Sequence, residues 1–537
     1  MSRTAAVVIR VSARRASEAN LVAAFLDGAE RFPDAELTVS STVRPGTHRL
    51  ADIVAAGTRF AAGLRAHGIA PGDIVAVQLP AWSEWMVACV GIAHAGAVML
   101  PVVSIYGPKE LGFILRQSKA RLLVTPDRWR GADYAAVLAA CGVVPDLAHH
   151  VVIGDIVPGA IGWDAMLAHD DEAPPAPRHP DDLAMLVYTS GTTADPKGVC
   201  HSSRTLLAEL AAVAAVRRQI VEIILSPWPP GHVAGACTMM RYLAHGVKLV
   251  LMDQWSSGEA AMLIERHRVN ACSLTPFHLT GILDGADADD RDLSSLRNCL
   301  VGAAPVPPSL IARCATRGLA TYRCYGSSEH PTVTMGDPGD PIAKRLTTEG
   351  RLMAGSEMRF VDDDGIDVPP GSAGEMATRG PELFLGYLDA RLDAAAMLPG
   401  GWYRTGDIGR LDDDGYLLIT DRKKDIIIRG GENIASSEVE AVLLSHPGVA
   451  DAAVVAAPDA RMGEVVRAYL VLRPGAVLTL QDVQAHFAAA GTARQKTPEQ
   501  IVVVDDFPRT TTGKVQKHEL RARARAEIAA AVGTETG

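Results

Sequence analysis

YTSGTTADPKGV, residues 188–199, is the stretch whose reading decides the rest of the chain. The apolar run that leads into it, Leu183–Thr189 (LAMLVYT), has the length and composition of a buried strand. That strand ends in a loop holding the hydroxyls of Thr189, Ser190, Thr192 and Thr193, the glycines Gly191 and Gly198, and the ammonium of Lys197. Polyphosphate needs such a concentration of donors: hydroxyls, a cation, and backbone N–H groups turned inward. Glycine permits the positive φ angles that turn them. Lys197 is followed by Gly198, so the segment fails the GxxxxGK[ST] pattern and is not a kinase-type cradle. An ordinary Ser/Thr/Gly-rich surface loop is the competing reading, and the length and order of the motif weigh against it.

Outward from this loop, helical and strand-like periods alternate. Residues 50–68 repeat with helical period, residues 73–79 (DIVAVQL) and 119–125 (KARLLVT) read as short buried strands, and Lys248–Met252 (KLVLM) as another. Residues 258–267 between them are again helical. This β-α rhythm predicts parallel sheets covered by helices on both faces. Residues 170–182 (DDEAPPAPRHPDD) are Pro-rich and acidic and read as an exposed connection. Near Asp412 the texture becomes turn-rich and strand-rich. Ser437 and Glu440 are spaced as a capping box opening the helix EVEAVLLSH, and residues 452–456 and 468–472 read as strands of a small α+β unit.

At 537 residues the chain exceeds what one core holds, since single cores stop growing near about 250–300 residues, so a large unit plus a small one is expected. A net charge of −10 argues against a nucleic-acid partner, which selects a basic field. Eight cysteines without a CxxC pair suggest neither a zinc site nor a disulfide framework, and fit a reducing, cytoplasmic setting. The longest apolar stretch, residues 87–106, is broken by His94 and Pro101, so it reads as a buried helix running into a strand rather than an integral membrane segment. Residues 1–15 are Arg-rich and acid-free, which leaves a transit peptide open, but their apolar run is too short for a secretory signal.

Residues 188–199 resemble the phosphate loop of the adenylate-forming superfamily of acyl-CoA synthetases and AMP-dependent acid-CoA ligases, with Ala194 where glycine is usual. Further segments follow in that family's order: GAAP at 302–305, YGSSE at 325–329, YRTGDIG at 403–409, DRKKD at 421–425 and PRTTTGK at 508–514. The resemblance implies an α/β fold. A large N-terminal domain over residues 1–423, of parallel-sheet subdomains plus a small barrel-like β piece, would precede a small mobile α+β domain over residues 424–537. Lys424 would be the hinge. ATP, Mg²⁺ and coenzyme A are the implied cofactors and a small-molecule carboxylic acid the partner; association into a homo-oligomer stays open.

The resemblance also assigns residues. Thr189, Ser190, Gly191, Thr192, Thr193 and Lys197 would cradle the phosphates, with Glu329 and Thr189 at the Mg²⁺, a hard cation that takes oxygen ligands. Gly302, Ala303 and Ala304 would line the adenine, with Tyr325, Gly326, Ser327 and Ser328 beside the nucleotide. Asp407 would clamp the ribose diol, Arg422 would reach ribose or phosphate, and Gly431 would lie at the pantetheine channel. Lys514 is the implied adenylation residue, and His232 stands where such ligases place a residue near the acyl carboxylate.

Within the superfamily, residues 227–235 (PWPPGHVAG) hold no acid to pair with an α-amino group, which disfavours an amino-acid substrate. The small Gly235 and Ala236 suggest room for a medium-chain, alicyclic or similarly bulky apolar acid, and so a place in fatty acid or lipid metabolism. An aryl-CoA ligase or an acyl-AMP ligase is the alternative, and an inactive nucleotide-binding regulator a more distant one. No GxGxxG follows any strand, which argues against a dehydrogenase.

Overall fold

The strand expected before the phosphate loop forms over Leu183–Thr189 in the computed structural model, which describes residues 20–170, 173–189, 196–216, 222–304, 306–459, 461–510 and 513–535. Ser190, Gly191, Thr192, Thr193 and the N-terminal residues 1–15 lie outside the described residues. The chain divides into two compact units: residues 1–254, 328–331 and 381–391 form one, and residues 255–327, 332–380 and 392–537 the other.

The first unit is built on an eight-stranded sheet in the order Gly386–Tyr387, Lys197–Ser202, Leu183–Thr189, Val98–Pro101, Ile74–Val77, Leu122–Pro126, His149–Ile153, Ile161–Gly162. From Leu183–Thr189 onward the neighbours are parallel, whereas Lys197–Ser202 and Gly386–Tyr387 add antiparallel at one edge. Strands on the parallel part read as near-continuous apolar runs because helices cover both faces: Val75, Ala76, Val77, Leu122, Leu123 and Val124 are fully buried. Helices Leu50–Ala66 and Ser83–His94 approach closely at Gly57 and Gly91, where an added Cβ would meet Val90 Cβ at 2.5 Å and the Gly57 carbonyl at 2.7 Å respectively. Residues 87–106 resolve as expected into a helix end and the strand Val98–Pro101. Among the described residues no helix is long and apolar enough to cross a membrane. Residues 173–182 carry no regular secondary structure but are tied down, the Ala176 N–H donating to the His94 carbonyl at 2.9 Å.

The second unit contains three sheet regions. Ala271–Leu274, Asn298–Val301 and Ala320–Tyr325 run parallel. Glu357–Val361, Gly374–Arg379, Trp402–Leu411 and Leu417–Arg422 form an antiparallel meander. Ile427–Arg429, Glu432–Ile434, Val449–Asp459 and Gly463–Leu472 pair antiparallel, and Gln500–Val503 joins parallel. This last sheet has its own core, in which Ile427, Val439, Leu443, Val454, Leu470 and Phe487 are buried.

One local expectation is corrected. Ser437 and Glu440 do not form a capping box. The helix begins at Ser436 and ends at Leu444, and its N-cap, Ala435, caps through no side chain. Its first N–H groups, on Ser436 and Ser437, donate instead to the Asp421 carboxylate. Glu440 is drawn inward, accepting from the Val454 N–H at 2.7 Å and pairing with Lys517 at 2.7 Å. Lys517 outcompetes the local reciprocal bond, because leaving the buried Glu440 carboxylate unpaired would cost far more than a cap contributes. A capping box does form between Thr479 and Asp482 on the helix Leu480–Ala489.

Candidate active site

In the first unit, antiparallel register sets Thr189 opposite Lys197 and Tyr188 opposite Gly198, so the two strands hold the ends of the phosphate loop side by side. Gly198 is tightly packed: a Cβ would meet Leu186 and Leu388 side-chain atoms at 3.1 Å each. The Lys197 ammonium lies over the Tyr387 ring, 5.2 Å from its centroid. The Tyr387 hydroxyl donates to Glu329 Oε1 at 2.8 Å, and Glu329 is only 8% exposed. Next to it, the Ser328 carbonyl bonds His201 Nε2 at 2.7 Å, while His201 Nδ1 meets Thr205 Oγ1 at 3.1 Å. Burial pushes His201 down to about 4, so the ring is neutral and its Nε2 is the donor. Lys197 and Glu329, far apart in sequence, are thus brought together by Tyr387.

A hard-cation site fits these donors. The Glu329 carboxylate has Oε1 held by the Tyr387 hydroxyl, and Thr189 adds a hydroxyl at the strand end. Among the described residues no three His, Cys, Asp or Glu side chains converge as a metal cage. Mg²⁺ suits such a sparse set, since it keeps several waters and completes its shell with substrate phosphates.

His232 precedes the helix Val233–His245 as its N-cap residue, and burial pushes it down to about 4. A neutral imidazole there offers a hydrogen bond, not a charge. Gly235 is tightly packed: a Cβ would sit 2.2 Å from the Pro229 carbonyl oxygen. Its missing side chain lets the helix close onto the 228–229 turn.

In the second unit, the strand Asn298–Val301 runs into the turn Gly302-Ala303-Ala304. Ala303 holds φ +62°, a left-handed conformation that costs a non-glycine residue about 1 kcal/mol or more and clusters at functional turns. Gly302 packs against Cys324, whose Sγ would be 2.8 Å from an added Cβ. Beyond Cys324, the Tyr325 hydroxyl donates to Asp407 Oδ2 at 2.7 Å, and Arg422 Nε lies 3.2 Å from Asp407 Oδ1. Asp407 is itself held by its N–H donating to Thr405 Oγ1 at 3.1 Å. Desolvation, with the Asp407 carboxylate adding to it, pushes the Tyr325 phenol well above its ordinary value, so it stays a donor.

Lys514 joins this group from the far end of the chain. It is half-buried, and its ammonium is within electrostatic reach of Arg422, Asp407, Lys424 and Asp425. Desolvation first, and Arg422 second, push it down to about 7. Three cations and two carboxylates leave a local excess of positive charge, the field a polyanion would neutralise. The loop carrying Lys514 is braced by Arg509, which donates to the Gly513 carbonyl at 3.0 Å and pairs with Asp451 at 2.6 Å. Phe277 packs on Gly513. Gly326, Ser327 and Ser328 follow Tyr325 without regular secondary structure. Gly431, at φ +89°, occupies the exposed tip of the hairpin between Ile427–Arg429 and Glu432–Ile434.

Sequence reasoning missed Tyr387, His201, Arg509 and Phe277. Tyr387 lies in an apolar run, LFLGY, where nothing distinguishes an aromatic that supports a carboxylate from one that fills a core.

The chain compares with known proteins as follows. The AMP-binding enzyme family profile matches residues 25–388, and the AMP-binding enzyme C-terminal domain profile matches residues 438–514. The chain is 37% identical over 466 residues to the medium-chain fatty-acid–CoA ligase of Escherichia coli, covering 85% of this chain and 82% of that protein. Over 482 residues it is 36% identical to a (7a-methyl-1,5-dioxo-octahydroindenyl)propanoyl:CoA ligase of Rhodococcus jostii, covering 86% of this chain and 91% of that one. The crystal structure of the anthranilate CoA ligase AuaEII in complex with anthranoyl-AMP superimposes with a TM-score of 0.86 at 25% identity, covering 96% of this chain and 98% of that one. With matched profiles, relatives of this identity and a fold shared over nearly the whole length, the chain belongs to the AMP-binding enzyme family.

Proposed function

We propose that this AMP-forming acid–CoA ligase takes a medium-chain, alicyclic or other bulky apolar carboxylic acid. The reaction class follows from the family and from the acid–CoA ligases it resembles. The acid's character is supported by two relatives, one acting on medium-chain fatty acids and one on a bicyclic propanoate. A cytoplasmic setting is part of the same proposal, supported by eight free cysteines.

A carboxylate is a poor acylating agent because its leaving group would be oxide. In the first half-reaction its oxygen attacks the α-phosphorus of ATP, the bond to the β-phosphate oxygen breaks, and pyrophosphate leaves. In the second, the thiolate of coenzyme A attacks the acyl-adenylate carbonyl, and AMP leaves with the electron pair. Both partners of the first step are anions, so positioning and cationic stabilisation carry the catalysis. Mg²⁺, when bound through Glu329 and Thr189, supplies charge neutralisation at the phosphates. In this reading Lys197 steadies the leaving pyrophosphate, Asp407 clamps the ribose diol, the 302–304 turn faces the adenine, and Lys514 bridges carboxylate and α-phosphate.

One observation carries the assignment of Lys514: its ammonium lies among Asp407, Arg422 and Lys424 on a braced loop rather than in solvent. The second half-reaction then requires the lysine to withdraw, which a rotation of residues 424–537 about Lys424 provides, with Gly431 approaching the pantetheine arm. The test has two arms. A panel of two- to twelve-carbon, alicyclic and aromatic acids is assayed for AMP release dependent on both ATP and coenzyme A. Turnover confined to acetate or to aromatic acids sinks the proposed acid class. In the second arm Lys514→Ala loses adenylation on the order of 10²–10³-fold, the range typical of a removed charge-stabilising group, and spares thioester formation from supplied acyl-adenylate. Equal loss in both half-reactions removes the role given to Lys514.

A further inference from the structure

We propose that Tyr387 is a positioning residue that sets the magnesium carboxylate, Glu329, in register with the phosphate-loop cation, Lys197. This rests on the reading of those two groups given above. The hydroxyl donates to Glu329 Oε1 at 2.8 Å while the ring face receives the Lys197 ammonium at 5.2 Å, so one side chain contacts both. Tyr387 is 6% exposed, and its ring plane is held edge-on by Phe384 at a centroid distance of 5.0 Å.

The backbone around it is stitched to the same two segments. The Phe384 N–H donates to the Glu329 carbonyl, the Leu385 N–H to the Cys200 carbonyl and the Leu388 N–H to the Gly198 carbonyl, each at 2.8 Å. Residues 384–388 therefore fasten the strand that leaves the phosphate loop to the segment that carries Glu329, and Tyr387 is the side chain placed at that junction.

Two effects follow from the chemistry. A phenol engaged with Oε1 fixes the carboxylate rotamer and leaves Oε2 to face a cation, without the neutralisation an Arg or Lys partner would bring. The ring face holds the Lys197 ammonium separately, through a cation–π contact that does not need the hydroxyl. Metal and phosphate groups would thus be coupled through one ring.

Tyr387→Phe keeps the ring and deletes the hydrogen bond; Tyr387→Leu deletes both. Binding is read on the full-length protein, without turnover, by electron paramagnetic resonance of Mn²⁺ with a non-hydrolysable ATP analogue and by calorimetry of the analogue without metal. Tyr387→Phe is expected to raise the Mn²⁺ half-saturation about tenfold, as for loss of one charge-assisted bond, with metal-free nucleotide affinity unchanged. Tyr387→Leu is expected to show the same metal defect and to weaken metal-free nucleotide binding about threefold further. Wild-type Mn²⁺ affinity in Tyr387→Phe, or identical behaviour of the two variants in both assays, overturns the proposal. Thermal melts keep a folding defect apart from these shifts. Glu329→Gln separates the layers: normal Mn²⁺ binding there defeats the metal assignment itself, whereas a defective Glu329→Gln beside a normal Tyr387→Phe defeats only the part given to the tyrosine.

Discussion

Lys423 and Asp425, one residue either side of Lys424, are anchored on different elements. The Lys423 ammonium pairs with Asp363 at 2.6 Å and Glu375 at 3.1 Å, on the antiparallel meander. Asp425 accepts from Arg521 on the C-terminal helix Lys517–Glu535. Ion pairs on both sides of a single residue are what a hinge proposed at Lys424 would pivot between.

The first prediction concerns the hinge proposed at Lys424. Lys424→Pro fixes φ at 424 and restricts Lys423 as well. Thioester formation is expected to slow on the order of tenfold or more while pyrophosphate exchange persists, as for a conformational step made rate-limiting. Single-turnover assays of the two half-reactions decide it, and an unchanged second half-reaction counts against rotation at this residue.

Lys514 carries a pH signature. Its ammonium is pushed down to about 7, so the free enzyme loses the cation as pH rises through that value. The value of kcat/KM for ATP, which reports the free enzyme, should therefore fall above about pH 7. Once a polyphosphate is bound its charge raises the lysine again, and kcat should hold to higher pH. An unfolded lysine titrates near about 10.4, so the unfolded state binds more protons between the two values and stability should rise with pH across that window. Lys514→Met should flatten both trends; a wild-type kcat/KM profile already level across neutral to alkaline pH would contradict them.

Asp407, the residue proposed to clamp the ribose diol, is held between Tyr325 and Arg422. Asp407→Asn exchanges a charged acceptor for a neutral one and should cost roughly tenfold in ATP affinity. It should also erase the preference for ATP over 2′-deoxyATP in calorimetric titrations. Retained preference in the variant would move the ribose elsewhere.

Gly235 tests what its small size is for. An added methyl would collide with the Pro229 carbonyl oxygen at 2.2 Å, so Gly235→Ala should destabilise the fold by about 1–3 kcal/mol, the usual cost of overpacking. Urea denaturation measures this. A variant of native stability whose acid preference shifts toward shorter chains would restore the pocket role and remove the packing one.

Several elements were legible because their signals are local. The run LAMLVYT predicts a strand and is one over the same seven residues, Leu183–Thr189, and KLVLM likewise matches Lys248–Met252. The failed capping box at Ser437 and Glu440 was illegible for the opposite reason. Its outcome depended on Lys517 and Asp421, which only folding brings to that helix end.

The same division runs through the candidate site. Sequence alone determined the chemistry on offer: a hydroxyl-, glycine- and lysine-bearing loop after a strand, two carboxylates and a tail lysine in an order that identifies the family. Those are properties of residue type and spacing along one dimension, and they survive without coordinates. Tertiary structure alone decided which groups meet: Tyr387 between Glu329 and Lys197, Tyr325 on Asp407, and Lys514 among Arg422, Lys424 and Asp425. It also showed that Gly235 sits against a neighbouring carbonyl, with no room there for a Cβ. Charge strength, donor roles and steric tolerance depend on burial and on partners remote in the chain, and those exist only once the sheets have closed.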